Sequence, residues 1–149
     1  MRSHALERAR RKFAFVFQSS ALLDSISVFD NVAFPLREAR HLSAVDVNER
    51  VHRALSELKV EDAAKKLPGE LWGGMAKRVG IARAVVTEPE ILVYDEPTSG
   101  IGPIGSRIID ELIERMRTSY FVTSIVITHD MVTANDVADH VVSWAAARF

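Results

Sequence analysis

Four apolar residues followed directly by two carboxylates are the feature that most constrains the fold. Residues 91–94 read Ile-Leu-Val-Tyr, with no polar alternation, and Asp95 and Glu96 follow. So short an apolar run is typical of a strand buried on both faces, as in parallel sheets. Apolar residues then recur at helical spacing over residues 104–116, and a β-prone run occupies residues 121–127. Strand, helix and strand in this order predict a right-handed parallel crossover in an α/β fold.

Composition excludes several other classes of protein. The chain has 149 residues, of which 48% are apolar and 26% charged, as in one globular domain. It has no cysteine, which excludes a disulfide framework, a Cys-based zinc site and a thiolate nucleophile. With 19 basic and 20 acidic side chains the formal net charge is −1, so no global field attracts nucleic acid. The longest apolar run, residues 13–17, is far shorter than the roughly twenty residues of a membrane span.

The amino-terminal part predicts a short basic helix, a strand and two capped helices. The helix covers residues 3–12, and a buried strand follows over residues 13–17. Ser27 and Asp30 have capping-box spacing before a helix that Pro35 limits to about two turns. Ser43 and Asp46 repeat the device before an amphipathic helix over residues 44–58.

The remaining elements follow from similar signals. A helix opens near Gly73 and ends near Thr87, two residues before Pro89. After the strand over residues 121–127, residues 135–139 favour a helix, and residues 140–144 favour a last strand.

Polar residues at the predicted strand ends indicate phosphate chemistry. Asp95 can hold Mg²⁺, and Glu96 can orient or deprotonate a water that attacks phosphorus. The next strand ends with Thr128, His129 and Asp130, which place an imidazole at the same edge of the sheet. We call this edge, formed by the carboxyl ends of the strands, the rim. The glycine pair at residues 73–74 stands at a helix start, where N–H groups attract anions. On the Asp-Glu pair alone, a strand that ends in acidic surface residues explains the pattern equally well.

Several motifs together resemble the nucleotide-binding domain of ABC transporters. They are LPGELWGGM at residues 67–75, the pair Arg83-Ala84, ILVYDEPTS at residues 91–99 and VITHD at residues 126–130. Residues 15–18 resemble the start of the Q-loop, so the resemblance covers about residues 5–142. Residues 17–22, residues 28–36 and Met75 are similar to ATPase subunits of lipid-asymmetry and MCE-type phospholipid transporters.

The resemblance implies a fold, a domain division and two cofactors. The implied fold is α/β, a truncated P-loop NTPase-like (RecA-like) parallel sheet with an ABC helical subdomain. Residues 1–149 would form a single partial domain, with a core of residues 1–36 and 89–149 and a helical subdomain of residues 37–88. The cofactors would be ATP and Mg²⁺, which this chain alone would bind weakly or not at all.

The resemblance also implies a role for each motif residue. Gln18 and Asp95 would hold Mg²⁺, Glu96 would act on the attacking water, and His129 would contact the γ-phosphate. The signature stretch would close over ATP held by a second protomer, and the position of Gly102 would reach across the same dimer. That stretch consists of Leu71, Trp72, Gly73, Gly74 and Met75.

Three departures from the family pattern set the expected limits of activity. No G-x-x-x-x-G-K-[ST] motif occurs: Gly69 and Gly74 have the right separation, but Met75-Ala76 follows where Lys-Ser/Thr is required. Loss of about four charge-assisted phosphate contacts removes at least about 6 kcal/mol of nucleotide-binding free energy. A site with a micromolar Kd for ATP would then have a Kd above about 10 mM. Family order puts that motif before residue 1, so we expect a domain that begins several dozen residues late. In addition, Trp72 replaces the family's Ser, and Gly102 replaces its Asp.

Three functions remain open at this point. The first is the carboxyl-side part of the ATP-binding subunit of an ABC transporter, which hydrolyses ATP only when the P-loop is supplied; the resemblance implies lipid transport. Its expected partners are a transmembrane subunit, contacted through residues 19–36, and a second ATPase protomer, at the cytoplasmic face of the inner (plasma) membrane; nucleic acid is not expected. The second is a non-catalytic module that docks on a transporter subunit. The third, an ATPase of DNA-repair type, is disfavoured by the absence of coiled-coil heptads.

Overall fold

A parallel three-stranded sheet organises the protein. The computed structural model describes residues 2–39 and 41–143. The strands are β1 (Phe13–Val16), β2 (Ile91–Asp95) and β3 (Thr123–Ile127), and they lie in the order β1-β2-β3. Phe13 pairs with Ile91, and Ile91 pairs with Thr123. The parallel crossover predicted between residues 91 and 127 is confirmed.

Helices make up most of the remaining chain. They are α1 (Arg2–Arg10), α2 (Val28–Ala39), α3 (Ala44–Glu57), α4 (Gly73–Val85), α5 (Gly102–Tyr120) and α6 (Met131–Val137). Short 3₁₀ turns occupy Glu61–Ala63 and Pro68–Glu70. In sequence, α2, α3 and α4 lie between β1 and β2, and these three helices pack on one another. Helix α5 connects β2 to β3. None of the described helices is both long and apolar enough to cross a membrane.

The capping box predicted at Ser43 and Asp46 is complete, whereas only the serine half of the one predicted at Ser27 and Asp30 forms. The Asp46 N–H donates to Ser43 Oγ at 3.1 Å, and the Ser43 N–H donates back to the Asp46 carboxylate at 3.2 Å. At the start of α2, the Asp30 N–H donates to Ser27 Oγ at 3.1 Å. Each serine therefore satisfies one of the free N–H groups of the first helical turn.

Pro35 does not end the second helix, so the predicted limit of two turns is wrong. The helix α2 continues through Pro35 to Ala39. Proline removes one backbone hydrogen bond and costs roughly 3 kcal/mol inside a helix. Each buried Val or Leu side chain contributes roughly 1.5–3 kcal/mol, which offsets that cost. The buried apolar side chains of α2 are Val28, Val32, Ala33 and Leu36.

The two faces of the sheet differ in exposure. Val16, Leu92 and Tyr94 are buried on the face that the helices cover. The opposite face leaves Phe13, Phe15, Ile125 and Ile127 between 40% and 53% exposed. The prediction that residues 91–94 are buried on both faces is therefore wrong for this second face, and the predicted buried strand over residues 13–17 is buried on one face only.

The carboxyl-terminal elements also differ from expectation. The helix α6 begins at Met131, because the Asp130 side chain accepts from the Val132 N–H at 2.9 Å and caps it there. It ends at Val137, so the predicted helix over residues 135–139 is correct only in part. Residues 140–143 form no strand, because a strand needs a paired neighbour and these residues have none among the described ones. Trp144, the last residue of that predicted strand, lies outside the described residues.

Candidate functional site

The predicted catalytic pair meets where β2 and β3 end. Glu96 follows the last residue of β2, and His129 lies two residues after β3. His129 Nδ1 donates to Glu96 Oε1 at 2.8 Å, and the His129 backbone N–H donates to the same oxygen at 3.2 Å. Thr128 Oγ1 donates to Glu96 Oε2 at 3.4 Å. Adjacent parallel strands thus bring together a carboxylate and an imidazole that lie 33 positions apart in sequence.

The environments of these two side chains are unequal. The Glu96 side chain is 20% exposed, whereas the His129 side chain is 83% exposed. The hydrogen bond that His129 donates to Glu96, together with the negative charge of Glu96, raises the pKa of His129. Glu96 also has a φ of +47°, a left-handed conformation that is costly for a residue with a side chain. The strain is located at the residue whose carboxylate the resemblance assigns to water activation.

Oxygen donors suited to Mg²⁺ lie at the same rim. Asp95 ends β2 and is exposed, and Gln18 lies two residues after β1. Gln18 Nε2 donates to Ser99 Oγ at 3.2 Å, which leaves its amide oxygen available for a cation. Among residues 2–39 and 41–143, no cluster of three or more His, Cys, Asp or Glu side chains could hold a metal. Asp95 and Gln18 offer one carboxylate and one amide oxygen, donor types that bind Mg²⁺ when phosphate oxygens and water complete its coordination.

The signature stretch leads into the helix α4. Gly73 is the first helical residue, and the Met75 and Ala76 N–H groups donate to the Trp72 carbonyl at 2.9 and 3.1 Å. The Trp72 indole lies against Gly74. The contact is so close that a Cβ atom on Gly74 would come within 2.2 Å of an indole carbon. The Arg78 guanidinium lies 5.3 Å from the centre of the same ring. Leu71 is half-buried, while Trp72 remains largely exposed.

Gly102 has a conformational reason to be glycine. It is the first residue of α5 and has a φ of +69°, and Gly100 has a φ of +80°. Both values lie in the left-handed region that glycine adopts without steric cost. An aspartate at position 102 would be strained in this backbone.

Comparison with known proteins decides the family. The family model described as ABC transporter matches residues 1–99. The chain belongs to the ABC transporter family. It is 40% identical over 135 residues to the intermembrane phospholipid transport system ATP-binding protein MlaF of Haemophilus influenzae, covering 91% of this chain and 51% of MlaF. It is 39% identical over 141 residues to the methionine import ATP-binding protein MetN 1 of Shouchella clausii, covering 95% of this chain and 40% of MetN 1.

Solved ABC structures share the fold. The structure of cbiO1 from Clostridium perfringens, part of the ABC transporter complex cbiONQ, superposes with a TM-score of 0.80 at 32% identity, over 86% of this chain and 51% of cbiO1. A dimeric ATP-binding cassette bound to ADP and Pi superposes with a TM-score of 0.77 at 30% identity, over 90% of this chain and 60% of the cassette. The predicted α/β fold with a parallel ABC ATPase sheet is confirmed. The chain spans about half the length of the curated relatives it matches.

Two basic residues of this ABC chain escaped the sequence analysis. Lys77 is buried on α4 and donates to the backbone carbonyls of Gln18 and Glu96. Arg83, noted only as part of a motif, donates to the carbonyls of Ser20 and Ala21. A signal was available, because Lys77 lies three positions after Gly74 and four before Ile81, on the face of α4 that faces the core.

Proposed function

We propose that this chain supplies the water-activating and γ-phosphate-sensing side of ATP hydrolysis in the ATP-binding subunit of an ABC transporter. The supporting observation is the Glu96 carboxylate, held by His129 at the carboxyl ends of adjacent parallel strands. Ligands of open α/β sheets bind at this end of the strands.

Each rim residue has a chemical task in this proposal. Glu96 accepts a proton from the water as the water oxygen attacks the γ-phosphorus and the bond to the bridging oxygen breaks. His129 orients Glu96 and donates from its exposed ring to a γ-phosphate oxygen. Asp95 and Gln18 would hold Mg²⁺, which neutralises phosphate charge when bound.

Nucleotide binding limits the proposed activity. The 149 residues contain no G-x-x-x-x-G-K-[ST] motif, whose N–H groups and Lys supply most phosphate contacts in P-loop ATPases. Trp72, lying against Gly74, presents an indole where the family presents a serine hydroxyl to ATP of a second protomer. We therefore expect weak binding of Mg-ATP by this chain alone and impaired binding in trans.

A chimera tests the hydrolytic role. Residues 1–149 replace the matching part of Haemophilus influenzae MlaF, and steady-state ATP hydrolysis by the chimera is measured. Glu96→Gln should lower the rate by roughly 10²–10⁴-fold, the usual contribution of a general base. Glu111→Gln, which changes an exposed glutamate on α5, serves as the matched control and should have no effect. Equal rates for the chimera and Glu96→Gln would refute the role of Glu96.

A non-catalytic docking module is the second candidate function. The contact between Trp72 and Gly74 favours it, because the indole covers the start of α4 where a phosphate would bind. A chimera that fails to hydrolyse ATP but still associates with the membrane partner of MlaF would support this candidate.

We propose phospholipid transport as the process served, through a transmembrane subunit that contacts residues 19–36. Support comes from the 40% identity to MlaF and from the motifs at residues 17–22 and 28–36. The similar identity to MetN 1 makes methionine import the competing substrate class. Residues 5–142 can replace the matching segment of MlaF or of MetN 1, each reconstituted with its own membrane partner in vesicles. Phospholipid transfer by the first hybrid without methionine uptake by the second is the expected result, and the reverse pattern would contradict the proposal.

A further inference from the structure

One buried lysine connects three separate motifs. Lys77 is only 6% exposed, and its Nζ donates to the Gln18 carbonyl at 2.5 Å and to the Glu96 carbonyl at 3.3 Å. Lysine is almost never buried without partners, because its ammonium loses hydration. Here the ammonium reaches from the signature helix α4 to the loop after β1 and to the residue after β2.

Arg83 makes a second contact with the loop after β1, at residues 20–21. Its guanidinium donates to the Ser20 carbonyl at 2.7 Å and to the Ala21 carbonyl at 2.6 Å. Ser20 and Ala21 have φ values of +62° and +44°, and two consecutive non-glycine residues in this region are strained. Such a loop keeps its shape only if its surroundings hold it.

The helix α4 approaches the loop closely between the contacts of Lys77 and Arg83. Residues 77, 80 and 83 are spaced by three and lie along one face of α4. A Cβ atom on Gly80 would come within 3.3 Å of Ser20 Cβ, so glycine permits the close approach. Lys77, Gly80 and Arg83 therefore form one continuous contact between the signature helix and residues 18–21.

The charge of Lys77 is set by opposing influences. Burial lowers the pKa of Lys77, while the negative charges of Glu96 and Asp95 act in the opposite direction. The lysine thus places a positive group beneath two acidic residues of the rim.

We propose that Lys77 is a positioning residue that holds Gln18 and Glu96 in a fixed relation to the signature helix, so that the three motifs move as one unit. The catalytic meaning of this inference rests on the proposed function, but the mechanical coupling does not. No bound nucleotide is needed to detect it.

Hydrogen exchange on the 149-residue chain tests the coupling. Lys77→Met removes the charged donor from the Gln18 carbonyl and leaves the Glu96 carbonyl with the Ser99 N–H at 3.2 Å, so amide exchange over residues 18–21 and 96–99 should rise together by about tenfold or more. Lys77→Arg restores charged donors and should bring exchange back to within about threefold of the original chain. Lys65→Met changes an exposed lysine and is the matched control. If Lys77→Met does not fold, Lys77→Gln takes its place.

The pKa of His129, followed by NMR, separates positioning from a general structural effect. If Lys77 positions Glu96, Lys77→Met disturbs the contact between Glu96 and His129, and the pKa of His129 falls. Loss of a positive charge alone would raise the pKa of His129 instead. The proposal is overturned by a rise in that pKa, by exchange that increases uniformly over the chain, or by a change in only one of the two segments. Because neither measurement uses ATP, a negative result here is distinct from failure of the chimera to hydrolyse ATP.

Discussion

The contact between Glu96 and His129 makes one exposed imidazole a reporter of the whole rim. His129 is largely exposed, and its pKa is raised chiefly by the hydrogen bond to Glu96. A raised pKa in the folded state means that the contact stabilises the fold at pH values below the unfolded pKa, about 6.5. That contribution is lost as the pH rises through the pKa of His129 in the folded protein.

Glu96→Gln should lower the pKa of His129 toward its ordinary value, because the amide carries no charge and pairs more weakly with an imidazolium. The same variant should lose more stability at pH 5 than at pH 8. NMR titration of the His129 ring and urea unfolding at both pH values measure these effects. An unchanged pKa of His129 would show that the contact is absent in solution.

The sequence predicts which site residues lie together when those residues directly follow a strand. Asp95, Glu96 and His129 follow apolar runs, and parallel strands end at one edge, so their proximity could be expected. Lys77 could not be assigned its task in the same way, because its partners are backbone carbonyls that any residue carries. Its burial was visible in the spacing along α4, but its two acceptors depend on the tertiary structure.

At the scale of elements, helix starts were predictable and interruptions were not. Ser43 and Asp46 cap α3 by contacts within one turn, which sequence encodes directly. Pro35 and residues 140–143 show the opposite case. The former is tolerated because α2 packs its apolar face, and the latter form no strand because pairing depends on distant neighbours.

The amphipathic packing of α3 gives a direct test at this scale. Leu55 is fully buried, so Leu55→Ala should lower the free energy of unfolding by about 2–5 kcal/mol. Val45 on the same helix is 66% exposed, and Val45→Ala should change that free energy by less than about 0.5 kcal/mol. Urea denaturation compares the two variants, and equal losses would contradict the packing described for α3.

At the scale of the molecule, the uncovered face of the sheet should dominate behaviour in solution. Apolar side chains from β1 and β3 stand exposed on it, and parallel sheets normally have both faces covered. We expect self-association at high concentration and strong binding of an apolar fluorescent dye. Replacing both Phe15 and Ile125 with Ser should reduce the dye signal, whereas Ile104→Ser, an exposed position on α5, should not. A monodisperse monomer that binds no dye would refute this expectation.

We propose that these 149 residues carry the water-activating and phosphate-sensing groups of an ABC ATPase but lack the P-loop motif that binds its nucleotide. ATP turnover by the purified 149-residue chain, measured beside Glu96→Gln, tests it most directly. We expect no turnover by the chain alone above that of Glu96→Gln. Unaided turnover that Glu96→Gln abolishes would contradict it.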